Sequence, residues 1–231
     1  MHADSRAVVN TKWSRWSIMT TPFSILNKYQ LAKPSTLIQI GASGGQELVD
    51  FVQSGITHAL LIEPLDMPFS ILKSRVENIE NYVPFQALAH SSNGVTVDFH
   101  VASNGGMSSS ILEPSKHLAS YPSVSFPEKI SLTGYRLDSI VALLSSKEMI
   151  KFKHADMLYL DVQGAELIVL QGAGELLDHA KYIWTEVGVG DGYTGGATYI
   201  ELINFLSTYN YQLVYFECEP GTFGDALFVK R

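Results

Sequence analysis

The chain has 231 residues, 46% of them hydrophobic and 17% charged, a globular composition far from that of disordered chains. Its formal net charge is −7 and its 16 Lys and Arg are scattered, so neither a nucleic-acid partner, which needs gathered cations, nor an anionic membrane is expected. One cysteine, Cys218, allows no intrachain disulfide, and no stretch approaches the roughly 20 apolar residues of a membrane span, so the expected location is cytoplasmic.

Residues 1–35 read as a lead-in that packs on or caps a domain of residues 36–231. Its first 21 residues hold no apolar run of signal-peptide length, and Trp13 and Trp16 are expected to dock on the domain. Leu37 to Ile40 predicts the first strand, followed by the turn Gly41-Ala42-Ser43-Gly44-Gly45. A helix is expected from Gln46 to Ser54, with Leu48, Phe51 and Val52 inward and Gly55 as its stop. Ala59 to Glu63 predicts the second strand. Asp66 is expected to cap the next helix, with Pro68 in its first turn and Phe69, Leu72, Val76 and Ile79 at helical spacing. The third strand is placed near Tyr82 to Leu88.

From Asn93 to Gly134 the pattern changes. Val95, Val97, Phe99 and Val101 alternate with polar residues, the period of a half-exposed antiparallel strand. Ser103 to Ser110 and the pairs Tyr121-Pro122 and Phe126-Pro127 read as loop, an insertion expected on the substrate side. A short helix near Leu137 to Ser145 follows, and Lys151 and Lys153 read as a solvated helix end. Met157 to Asp161 predicts the fourth strand, Ala165 to Leu177 a helix and Tyr182 to Glu186 the fifth strand. Thr198 and Glu201 form a capping box opening a helix with Ile200, Ile203 and Leu206 inward. Gln212 to Cys218, with Cys218 buried, and Ala226 to Lys230 form a closing strand pair joined at Pro220-Gly221. Strands alternating with helices argue for βαβ units and a largely parallel sheet.

A strand that ends in glycines and opens a helix lets backbone N–H groups approach a ligand. The matching anchor is an acid at the end of the second strand, where ribose hydroxyls bind; Glu63 stands there, 22 residues after Gly41. Three other uses of the turn fit less well. A nicotinamide dehydrogenase needs G-x-G-x-x-G, and Ser43 holds the second glycine position. The turn matches G-x-S-x-G, the nucleophile elbow of α/β-hydrolases, but no earlier strand–loop unit is read ahead of its strand to supply an oxyanion hole, and the last histidine, His179, precedes three predicted strands. A phosphate-binding G-x-x-x-x-G-K-[ST] is absent.

The second constellation is Leu158-Tyr159-Leu160-Asp161-Val162-Gln163-Gly164-Ala165-Glu166. An apolar strand delivers Asp161 to the carboxyl edge of the sheet, where open α/β folds bind ligands.

With these motifs the sequence resembles the FkbM methyltransferases. Gln39 to Gly45 is similar to the family's D-I-G-A-N-x-G, Glu63-Pro64 to its E-P, and Ala87-Leu88-Ala89 with Asn93-Gly94 to its Ala-rich third strand and turn. Ser108 to Ser110 and Leu137-Asp138 follow in the family's order. Asp161 to Glu166, with Val169-Leu170-Gln171-Gly172-Ala173, resembles D-x-E-G-x-E and V-L-x-G-A; Glu186 matches an acid ending the fifth strand, and Gly224-Asp225-Ala226-Leu227 a closing G-D-A-L. Gln39 stands in place of an acid, Gln163 of a glutamate and Tyr159 of a lysine.

The resemblance implies an α/β, Rossmann-like, seven-stranded and mostly parallel sheet with helices on both faces and a C-terminal antiparallel pair, the class I methyltransferase fold. It implies S-adenosylmethionine as cofactor, held by Gln39, Gly41, Ala42, Ser43, Gly45, Glu63, Ala87 and Asp161. It also implies O-methylation of a saccharide or small-molecule hydroxyl. Candidate general bases are Asp161, Glu186 and His90. Asp191, Tyr193 and Glu217 on late loops are compatible with sugar binding. Two acids are too few for a metal site, so none is expected; self-association into a homo-oligomer is left open. A non-catalytic cofactor-binding protein and a nucleic-acid methyltransferase are the alternatives.

Overall fold

The computed structural model describes residues 20–188, 192–218 and 223–231. Trp13, Trp16, Asp191 and the Pro220-Gly221 turn lie outside them. In chain order the elements are α1 (Pro22–Lys28), β1 (Thr36–Ile40), α2 (Leu48–Ser54), β2 (His58–Glu63), α3 (Asp66–Val76), β3 (Tyr82–Gln86), β4 (Leu88–His90), β5 (Val95–Val101), α4 (His117–Ser120), β6 (Glu128–Arg136), α5 (Leu137–Ser146), β7 (Met157–Leu160), α6 (Glu166–Gln171), α7 (Leu176–His179), β8 (Tyr182–Gly188), α8 (Tyr199–Ser207), β9 (Tyr211–Cys218) and β10 (Phe223–Lys230).

Seven strands form one sheet in the order β3-β2-β1-β7-β8-β10-β9, parallel except for β10, which runs antiparallel to both neighbours. The chain crosses from β2 and β3 on one side of β1 to β7 and β8 on the other. The tips of β1 and β7 therefore border the crevice where the winding reverses, the place where such sheets bind ligands.

Alternation along the central strands divides the core. Ile38, Ile40, Leu60, Ile62, Leu158, Leu160 and Ile183 face α5, α6, α7 and α8. Leu37, Ala59, Leu61, Met157 and Trp184 face α1, α2 and α3, where Phe23 and Phe51 meet edge to face at 5.9 Å. Strands buried on both faces read as continuous apolar runs, as these do. A second sheet, β4-β6-β5, stands beside the carboxyl edge of β2, its apolar side formed by Leu88 and Phe99 against Leu65.

Several local expectations change. The segment read as loop before Gly134 contains β6, nine residues paired with β5 from Val95↔Gly134 to Val101↔Glu128. Ile130 and Leu132 alternate with polar residues there, a period-two signal outweighed by the nearby prolines. Leu88 belongs not to the third strand but to β4 in this second sheet. The expected helix from Ala165 to Leu177 breaks into α6 and α7, with Gly174 between them at a left-handed φ of +51°; Gly172, the C-cap of α6, packs on β4, where a Cβ would lie 2.0 Å from the His90 carbonyl oxygen. Leu65, not Asp66, is the N-cap of α3, and Asp66 accepts instead from Gln86 Nε2 at 2.6 Å. Ile200 is exposed and Leu202 buried in α8, since two residues along a helix is a rotation of about 200°. Val52 stays at the exposed rim of α2, Cys218 is half-buried, and Lys151 and Lys153 lie in turns beyond α5. The Thr198–Glu201 box caps α8, and Gly55 ends α2 in the left-handed conformation, both as expected. Among the described residues no helix is long and apolar enough to cross a membrane.

Candidate active site

At the carboxyl edge of the large sheet lies a cavity of about 270 Å³. Its floor is the tips of β1, β2 and β7, with Ile40, Gly41, Ile62, Glu63 and Asp161. Its far wall is the second sheet and the segment joining β5 to β6, with Leu88, Phe99, Met107, Ser109 and Ile111.

The glycine turn is shaped by close approach. The N–H groups of Gly41 and Ala42 both donate to the Ile62 carbonyl at 3.0 Å, and that of Asp161 donates to the Ile40 carbonyl at 3.0 Å. Gly41 has φ +81°, and a Cβ on it would sit 1.8 Å from the Asp161 carbonyl oxygen. Only glycine lets β1 turn away while β7 ends beside it.

Glu63 is the next fixed point. Its two oxygens accept from the Ser43 and Leu65 backbone N–H groups, each at 2.9 Å, tying the turn to the tip of β2. Burial raises its pKa to about 7, against those two bonds, which favour the ionised form; the Asp161 charge adds to the rise.

Asp161 belongs to a larger group of acids. Gln163 donates from Nε2 to Asp161 Oδ1 at 2.8 Å and to Glu186 Oε2 at 2.9 Å, and its Oε1 lies 3.1 Å from the Tyr193 hydroxyl. Burial lifts Asp161 to about 6 although the Gln163 bond opposes the shift, and Glu47 lifts it further. Glu186 is pushed well above the carboxylate range by burial and by Asp161, Glu166 and Asp225. Burial also brings Glu166 and Asp225 to about 7. No Lys, Arg or His lines the cavity among the described residues.

Of the residues singled out in the sequence, Gly41, Ser43, Glu63, Ala87 and Asp161 line this cavity together. Glu186 reaches it only through Gln163. Three expected contacts stand back from it: Gln39 is buried and donates to Glu47 Oε2 at 3.0 Å, Ala42 is buried, and Gly45 is pressed against Leu48 and Leu72. His90 lies at the end of β4 outside the lining, its Nδ1 accepting from the Ser92 N–H at 3.3 Å, so it is not among the wall residues available as a base. Ser43 Oγ accepts from Gln46 Nε2 at 3.3 Å and no histidine faces it from the lining, unlike a nucleophile elbow. Glu47 in the wall and Asp225 behind Glu186 were not foreseen as site residues. Glu47 stood in plain view at the start of the helix after the turn, but Asp225 comes into play only through its pairing opposite Glu186.

Comparison with known proteins agrees with this geometry. The family described as "Methyltransferase FkbM domain" matches residues 35–213. The chain is similar to "2-O-methyltransferase NoeI" of Sinorhizobium fredii, at 27% identity over 187 residues, which covers 78% of this chain and 74% of that protein. Among solved structures, the Methanococcus jannaschii fibrillarin pre-rRNA processing protein aligns over 91% of this chain and 69% of its own, with a TM-score of 0.51 and 12% identity, a likeness of fold. By family, motif order and sheet topology, the chain belongs to the FkbM methyltransferases and is an S-adenosylmethionine-dependent enzyme.

Proposed function

We propose that this methyltransferase acts on a hydroxyl of a saccharide or other small-molecule acceptor. The observation that carries the reading is a cavity joined to the glycine turn whose wall holds Asp161 and, among the described residues, no basic side chain. Similarity to a 2-O-methyltransferase supports a hydroxyl as the accepting group.

The residues present fit an adenosyl cofactor bearing a positive charge. Glu63 at the tip of β2 is placed for ribose hydroxyls. The Gly41 turn leaves room for close backbone approach, and Ser43 and Ala87 complete that wall. Leu88 and Phe99 offer apolar surface for a base, and Asp161 and Glu47 favour a cation. When bound, S-adenosylmethionine supplies a methyl group on a sulfonium that needs no covalent help from the protein. What remains for the chain is to orient the acceptor, exclude water and accept a proton. Asp161 takes the hydroxyl proton on its carboxylate, and Glu186 tunes it through Gln163. Met107, Ser109 and Ile111, within residues 93–134, form the acceptor side. The same reading keeps the protein cytoplasmic and without a nucleic-acid partner, in line with its lone cysteine and its charge of −7.

Calorimetric titration of S-adenosylmethionine and S-adenosylhomocysteine tests the cofactor half of this reading. Glu63→Ala should weaken both by about tenfold or more, the scale of losing hydrogen bonds to a charged group. Mass spectrometry after incubation with a saccharide panel tests the acceptor half, with gain of one methyl group expected. Failure of the wild type to bind either ligand would overturn the proposal.

A further inference from the structure

The turn after β7 contains a constrained polar residue of the site. Gln163 is not glycine, yet its φ is +55°, a left-handed conformation that disfavours residues with a Cβ. Such strain persists only where surrounding bonds over-determine it, and it clusters where function needs it. Here those bonds are present. The Gln163 carbonyl accepts from Ser110 Oγ at 2.9 Å, fastening it to the segment that roofs the cavity. Its side-chain oxygen faces the Tyr193 hydroxyl, which also donates to the Ser108 carbonyl at 2.7 Å. Its amide nitrogen is directed to two carboxylates at once.

We propose that Gln163 is a positioning residue for methyl transfer: its amide holds the Asp161 and Glu186 carboxyl groups together and keeps Asp161 available as the proton acceptor of the cavity. The inference rests on the function proposed above. A primary amide has two N–H donors, one for each acid, and no charge of its own. A glutamate at this position would bring a third carboxylate to the same point, and like charges that close cannot all stay ionised. The surroundings make the distinction matter. Asp161 is faced by Glu47 before α2, Glu63 on β2, Glu166 on α6, Glu186 on β8 and Asp225 on β10, with Tyr159 on its own strand and Tyr193 after β8. Against so many acids, the Gln163 bond is the influence that opposes protonation of Asp161.

The test is made on the ligand-free protein with carbon-13-labelled Asp and Glu carboxyls, the Asp161 signal being assigned by its loss in Asp161→Asn. Wild type, Gln163→Met and Gln163→Glu are titrated by NMR. In the wild type the Asp161 midpoint should lie at about 6. Removing the donors in Gln163→Met, or adding a charge in Gln163→Glu, should raise it by about one pH unit, tenfold in proton affinity. Gln163→Glu is nearly isosteric and keeps the test open if Gln163→Met does not fold. A merely structural role would lower the melting temperature of both variants and leave the midpoint where it was; that result overturns the proposal. In parallel, the pH at which S-adenosylmethionine affinity falls should move with the Asp161 midpoint. If the wild type binds no cofactor, the function proposed above fails, while the carboxyl titration still decides the role of Gln163.

Discussion

At the scale of single residues, the site is held by two kinds of contact that differ in what they tolerate. Gly41 is a matter of space. A methyl group there would meet the Asp161 backbone, not a side chain that can swing aside, and would sit on a positive φ. Gly41→Ala is therefore expected to cost at least about 2 kcal/mol, combining backbone strain with separation of the β1 and β7 tips. Urea unfolding would show it, and a variant as stable as wild type would mean that the tips part easily. Glu63 is a matter of charge and bonding. Its carboxylate already receives two N–H groups, so a ligand hydroxyl must approach along the remaining lone pairs.

At the scale of elements, the two ends of the sheet are built in opposite electrostatic ways. The carboxyl end gathers acids with no basic partner in the cavity wall among the described residues. The amino end carries one acid that is fully answered: Asp156, just before β7, accepts from the Ser35 N–H at 2.8 Å, from Ser35 Oγ at 2.9 Å and from the Thr36 N–H at 3.2 Å, and pairs with Lys181 at 2.9 Å. Burial pushes its pKa up, but Lys181 and Ser35 outweigh it and hold the group at about 2. A depressed carboxyl pKa stabilises the fold above the unfolded value near 4, and that contribution is lost as pH falls toward 2. Asp156→Asn should thus cost about 1–2 kcal/mol at pH 7, solvent screening included, with the difference from wild type shrinking toward pH 2. Denaturant titrations at several pH values would check it; a constant difference would contradict the assignment.

At the scale of the whole molecule, the acids of the carboxyl edge outnumber this one strap. Asp161 at about 6 and Glu63, Glu166 and Asp225 at about 7 all bind protons more tightly folded than unfolded. For raised carboxyl values the sign is reversed: their contribution is complete below the unfolded pKa near 4 and disappears as pH rises through 6 to 7. The ligand-free melting temperature should accordingly fall between pH 5 and pH 8. S-adenosylmethionine, a cation beside these acids, should raise it more at pH 8 than at pH 6, and S-adenosylhomocysteine, without the sulfonium charge, should show less of this dependence. Scanning calorimetry decides the matter, and a flat profile over that range would show that the cluster carries no net electrostatic strain.

Much of this protein was legible in its residues because the signals were local. Apolar runs at Leu37–Ile40, Ala59–Glu63 and Met157–Leu160 specify strands buried on both faces. Gly41 marks a turn that needs a missing Cβ, and strand ends carry Glu63 and Asp161 to one edge by topology alone. The order of those motifs was enough to point to the family. What tertiary structure alone decided depends on residues far apart in the chain. The close packing of Gly172 on the His90 carbonyl and the engagement of Gln39 Nε2 by Glu47 are of this kind. Most of all, the joining of Asp161, Gln163, Glu186 and Tyr193 needs the turn after β7 to fold against β8 and the following loop. A pattern in sequence shows which side chains reach an edge; only packing shows which of them, once deprived of water, must share a hydrogen bond.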